Sequence, residues 1–160
     1  MDMFSRTFLP ACSEAGIPMP TVNRHMPVFR RCVEPNDATV LVFRAHRPDR
    51  KLGREFILLL TYKRLVITQE SRVLRRLRLH LNSEIRHLSN ITCHTDPHLA
   101  AIELAATAID GIRERFFIHA GHPKQMWHLD ALFSHIFRPR GINERYVRYG
   151  RHEADHLVRA

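Results

Sequence analysis

Residues 56–82 read FILLLTYKRLVITQESRVLRRLRLHLN, three apolar runs separated by polar, charged breaks at 61–64 and 69–72. Each run is too short for a stable helix and rich in Val, Ile, Leu and Phe, which predicts a three-stranded antiparallel meander. In its third strand Leu77, Leu79 and Leu81 alternate with Arg76, Arg78 and His80. Period two then predicts an apolar inner face and a cationic outer face.

The flanking segments extend this pattern. A turn at Glu34-Pro35-Asn36-Asp37 leads into TVLVFRA at 39–45, a strand by its β-branched content. The connection HRPDRKLGR at 46–54 is a basic loop punctuated by Pro48 and Gly53. Residues 85–94 read as a weaker strand continuing the meander, broken by Thr95-Asp96-Pro97. Residues 99–109 support either a strand or a three-turn helix; the following Asp110-Gly111 and IRERFFIH favour the strand, in a hairpin. A three-residue loop Ile109-Asp110-Gly111 pairs Ile102 with Ile118, Leu104 with Phe116 and Ala108 with Ile112, and puts Gly111 in the left-handed position. The alternative two-residue loop mixes polar and apolar faces. Pro123 then opens a helix over 123–137, with Met126, Leu129, Leu132, Phe133, Ile136 and Phe137 on one face.

The chain of 160 residues is expected to form one domain, over 36–138. Pro10, Pro18, Pro20, Pro27 and Pro35 make 1–35 read as a poorly ordered N-terminal arm, and 139–160 reads as a charged C-terminal tail. Three unevenly spaced cysteines (Cys12, Cys32, Cys93) without a CxxC pair fit a reducing, cytoplasmic setting. No signal peptide is evident, and the longest aliphatic or aromatic run, 56–60, is far too short to span a bilayer.

Seven strands followed by one amphipathic helix is the element order of the pleckstrin-homology (PH) superfold. The segment Leu60-Thr61-Tyr62-Lys63-Arg64-Leu65-Val66-Ile67-Thr68 is similar to the strand–turn–strand of bacterial PH-like and GRAM-like domains. The resemblance implies a mainly β fold with one C-terminal helix: a partly open barrel of two near-orthogonal antiparallel sheets, closed at one end by helix 123–137. Trp127 resembles the tryptophan often carried by that helix. Eukaryotic members commonly bind phosphoinositides through a basic loop between the first two strands, and the corresponding loop here is 46–54.

Charge points the same way. The net charge is +9, almost all from Arg, because only Lys51, Lys63 and Lys124 are lysines. Such a field favours anionic partners, although an arginine-rich, lysine-poor composition also arises from coding bias. The candidate anion-binding residues are Arg47, Arg50, Lys51, Arg54, Lys63, Arg76 and Arg78, with Arg115 extending the field. The expected role is a non-enzymatic binding module, cofactor-free, for an anionic lipid surface at the inner membrane or an acidic protein, with self-association open. Nucleic acid is the rival partner, although stacking aromatics beside the cations are missing. The terminal His152-Glu153-Ala154-Asp155-His156 fits the H-E-x-x-H pattern of zinc hydrolases, but it lies outside any apolar helix. Cys93-His94-x3-His98 lacks a fourth ligand, and its first two members would point to opposite faces of a strand. No Ser-His-Asp spacing, Walker loop or dinucleotide fingerprint is present.

Overall fold

Strand β2 (Arg54–Thr61) is buried on both faces from Phe56 to Thr61, as a central strand must be. In the computed structural model, which describes residues 2–47, 54–120 and 122–137, it sits second in a four-stranded antiparallel sheet of order β1-β2-β3-β4. The other members are β1 (Thr39–Ala45), β3 (Arg64–Ser71) and β4 (Leu77–Glu84). A 3-10 turn at Ile85–His87 follows, so residues 85–87 do not form the start of a strand as expected. Strands β5 (Ser89–Asp96), β6 (Ala101–Thr107) and β7 (Arg113–His119) make a second antiparallel sheet in that order. Mainly β, with two sheets and a C-terminal helix, is therefore the architecture. Among the described residues no strand of one sheet pairs with a strand of the other, so no closed barrel forms. The chain divides into two compact units, one up to Ile85 and one from Arg86.

In the first unit, the N-terminal segment differs most from expectation. It forms helices α1 (Met3–Glu14) and α2 (Met19–Cys32), not a poorly ordered arm. Pro18 and Pro20 fall at the N-cap and first turn of α2, where no intrahelical N–H is needed. Pro10 and Pro27 are interior and cost about 3 kcal/mol each. Burial outweighs them. Phe4, Phe8, Val22 and Phe29 are each at most 2% exposed, and burying such a side chain is worth about 1.5–3 kcal/mol. Cys12 and Ile17 add to the same cluster, which closes over Val42, Ile57, Leu59 and Val66 of the sheet. The Phe4 and Phe8 rings stack at 5.0 Å, and Phe8 meets Phe29 edge-on at 5.6 Å. Ser5 N–H donates to Asp2 at 2.7 Å to cap α1, and that bond holds the Asp2 carboxyl below its ordinary pKa.

Strand β4 also departs from the simple alternation. A register shift pairs Ile67 with Leu81 but Thr68 with Leu79, leaving His80 as the extra residue of a bulge. The leucine stripe is split: Leu81 shares the face of Ile67, whereas Leu77 and Leu79 share that of Glu70 and Thr68. Leu79 is 47% exposed, although its cross-strand neighbour Thr68 is fully buried.

In the second unit, Ile102 pairs with Ile118 and Leu104 with Phe116. Ala108 N–H donates to the Ile112 carbonyl at 2.9 Å, and Gly111 has φ +85°. This is the three-residue hairpin loop that the face argument selects. Helix α3 (Pro123–Phe137) packs on β5 and β6 and buries Met126, Phe133, Ile136 and Phe137; Leu129 and Leu132 are half-buried.

Candidate functional site

Sheet register decides which of the predicted cations can act together. Arg54 pairs with Ser71, and Glu70 pairs with Leu77. The start of β2, the end of β3 and the start of β4 therefore share one end of the four-stranded sheet, where β1 also finishes. Arg54 follows the alternation of Phe56, and Arg78 pairs with Gln69 on that same face. The Arg47 guanidinium carbon lies 6.0 Å from the centre of the Phe56 ring, which His80 meets edge-on at 5.4 Å. Arg72, Arg75 and Arg76 occupy the β3–β4 turn, closed by Ser71 N–H donating to the Arg76 carbonyl at 3.1 Å.

Arg47, Arg54, Arg76 and Arg78 are thus neighbours in the fold although they span much of the first unit. Arg54, Arg76 and Arg78 are exposed, and Arg47 is half-buried. Arg50 and Lys51 lie outside the described residues. Arg72 pairs with Glu55 at 3.3 Å, whereas Arg54, Arg75, Arg76 and Arg78 form no ion pair with a described residue. Unneutralised guanidinium groups are the form in which arginine recognises phosphate oxygens.

Lys63 does not belong to this group. It sits in the β2–β3 turn at the opposite end of the sheet, and its ammonium pairs with Glu34 at 3.0 Å, which raises its pKa. That turn has a structural explanation. The Thr61 hydroxyl accepts N–H bonds from Arg64 at 2.9 Å and Lys63 at 3.3 Å. It donates to the buried Asp37 carboxylate at 2.6 Å. Arg64 reaches across to Asn82 at 3.0 Å and Glu84 at 3.6 Å. Arg115 is on β7 in the second unit, where Glu103 engages its guanidinium at 2.6 Å.

A second constellation escapes a linear reading. His25 of α2 is 1% exposed, with Nε2 2.6 Å from Glu70 Oε2 and Nδ1 2.8 Å from Thr68 Oγ1. Arg24 donates to the other Glu70 oxygen at 2.9 Å and to Thr21 at 3.3 Å. Burial lowers the His25 pKa, so the neutral ring donates from Nε2 to Glu70 and accepts the Thr68 hydroxyl at Nδ1. Hydroxyl, imidazole and carboxylate in line resemble a hydrolytic relay. Thr68 is 0% exposed, however, and a substrate carbonyl cannot reach its oxygen in this structure. The line serves as a tie between α2 and β3. Its sequence signal is slight: Val22, His25 and Phe29 fall on one helical stripe, with a histidine where an apolar residue is expected.

The metal-like motifs gain no geometry. Cys93 pairs with Leu104 and His94 with Glu103, on opposite faces, and His98 lies in the turn beyond β5. Among the described residues no three His, Cys, Asp or Glu side chains converge on a metal site. Residues 152–156 fall outside the described residues. Burial pushes the Cys12 thiol up to about 11, which suits a packing role. Among the described residues no helix is long and apolar enough to cross a membrane. No protein-family model matches the chain, and no curated protein sequence matches it.

Proposed function

We propose that this chain is a non-enzymatic binding module of the PH-like kind, whose arginine-bearing sheet end engages an anionic, phosphate-rich surface. Seven antiparallel strands in a four-plus-three arrangement, followed by one helix, support the architectural part of this reading. The observation that carries the functional part is the convergence of Arg47, Arg54, Arg76 and Arg78 at one sheet end. The end also holds Arg75, while Lys63 is drawn off by Glu34. Several guanidinium groups on one edge create a local positive potential that attracts polyanions and weakens with salt.

The test is co-sedimentation with phosphatidylcholine vesicles with or without phosphatidylglycerol, beside a DNA competition. Binding to anionic vesicles only, weakened by salt and reduced about tenfold or more by Arg76→Glu with Arg78→Glu, is the expected result. Equal binding by the charge-reversed protein rejects this sheet end as the site. Preferential capture by DNA replaces the surface reading with a nucleic-acid one.

A further inference from the structure

The β3–β4 turn at this end reads Arg72-Val73-Leu74-Arg75-Arg76, and its two aliphatic side chains are out in solvent: Val73 is 86% exposed and Leu74 67%. The turn does not need them for closure. Ser71 N–H donates to the Arg76 carbonyl at 3.1 Å, and Leu74 N–H reaches Ser71 Oγ at 3.4 Å, so backbone and hydroxyl hold the loop. Arg75 has φ +49°, a conformation that Gly or Asn adopts at lower cost. A cation therefore stands where a smaller residue would relieve the backbone. The β6–β7 turn makes a useful contrast: Ile109 is 79% and Ile112 57% exposed, but Asp110 and Gly111 stand between them, so the tip carries an anion and no cation.

We infer that Val73 and Leu74 form a wedge that enters the headgroup–acyl boundary of an anionic bilayer. This rests on the anionic-surface reading above and commits it to one kind of surface. An apolar tip followed by Arg75 and Arg76, which form no ion pair with a described residue, matches the depth profile of such a bilayer; Arg72 on its other side is held by Glu55. The aliphatic groups leave water, while the guanidinium groups remain at the phosphates. A soluble polyanion would engage the arginines and leave Val73 and Leu74 in solvent. Two adjacent exposed aliphatics beside Arg75 and Arg76 thus fit a partner with both an apolar and an anionic layer.

The experiment compares the full chain with V73S/L74S on phosphatidylcholine–phosphatidylglycerol vesicles and on heparin, with circular dichroism confirming the fold. The wedge predicts vesicle affinity reduced about tenfold or more and unchanged heparin affinity. In a Trp127→Phe background, Leu74→Trp is expected to shift its emission to the blue on anionic vesicles. Equal vesicle binding by V73S/L74S, or an emission spectrum unmoved by vesicles, overturns the wedge and leaves the arginine reading standing. Wild-type protein that binds heparin but not vesicles overturns the wedge and the anionic-surface reading together, leaving only a general affinity of the arginines for soluble polyanions. Wild-type protein that binds neither overturns both.

Discussion

His25 Nε2 stands 2.6 Å from Glu70 Oε2 with both residues almost wholly buried, and this contact joins helix α2 to strand β3. Arg24 holds the other carboxylate oxygen, so Glu70 is the shared acceptor for two donors. Glu70→Ala leaves both without their acceptor and is expected to cost about 3 kcal/mol or more in urea unfolding. Glu70→Gln keeps one acceptor oxygen and should cost less. Equal midpoints for wild type and Glu70→Ala would show that the tie contributes nothing.

The same contact sets a pH response. Burial is the largest influence on His25 and lowers its pKa; hydrogen bonding and charge from Glu70 oppose this, Arg24 adds to it, and Glu55 opposes it. Between the folded pKa and the ordinary histidine value of 6.5, the unfolded chain holds a proton that the folded chain lacks. Stability from this group is therefore full above that value and declines as pH falls below it. His25→Gln should flatten this part of the stability–pH profile, measured by urea unfolding at several pH values. An unchanged slope would assign the effect elsewhere.

Thr61 and Asp37 pose a similar question at the other end of the sheet. The Thr61 hydroxyl donates to a carboxylate that is 3% exposed. Thr61→Val keeps the shape but leaves Asp37 without that donor, at an expected cost of about 2 kcal/mol. Thr61→Ser, retaining the hydroxyl, should restore most of the loss in thermal or chemical unfolding.

Two turn positions should respond in opposite directions to glycine chemistry. Gly111 has φ +85° with open space at its Cβ position, so Gly111→Ala strains the backbone without a clash. The expected cost is about 1 kcal/mol. Ala100 has φ +49°, and Ala100→Gly should stabilise the protein by a fraction of that, because relief of strain exceeds the added chain entropy. Melting temperatures of the two variants read this out directly.

The helices before the sheet should prove indispensable. Phe8 is 1% exposed and touches both Phe4 and Phe29. Phe8→Ala is expected to cost about 3–5 kcal/mol. Deleting residues 1–33 uncovers Ile57, Leu59 and Val66, so the truncated chain should be insoluble or expanded by size-exclusion chromatography.

Local rules go furthest where one segment contains its own answer. The β6–β7 register follows from Asp110-Gly111 and the requirement that Ile102, Leu104, Phe116 and Ile118 share a face. The helix over 123–137 likewise follows from its apolar stripe and Pro123. Helix α1 does not yield so easily, because Pro10 argues against it and only packing against a distant sheet overrides that penalty. The stripe Phe4, Phe8, Cys12 is nevertheless visible in retrospect as i, i+4, i+8. Leu79 misleads for another reason: the bulge at His80 is a property of the β3–β4 pairing, which alternation in one strand cannot reveal. The arginine grouping needs long-range register to bring Arg54 beside Ser71. The loss of Lys63 depends on Glu34, which approaches only after the turn before β1 has formed.

The packing of α1 and α2 on β2 and β3 has a consequence for synthesis. The helical segments leave the ribosome before the sheet, so Ile57, Leu59 and Val66, which complete their apolar cluster, are made later. Until then Phe4, Phe8 and Phe29 lack the sheet that covers them in the finished protein. The nascent chain must therefore carry sticky aromatic residues through its early life, shielded by transient contacts or by a chaperone, until β3 emerges.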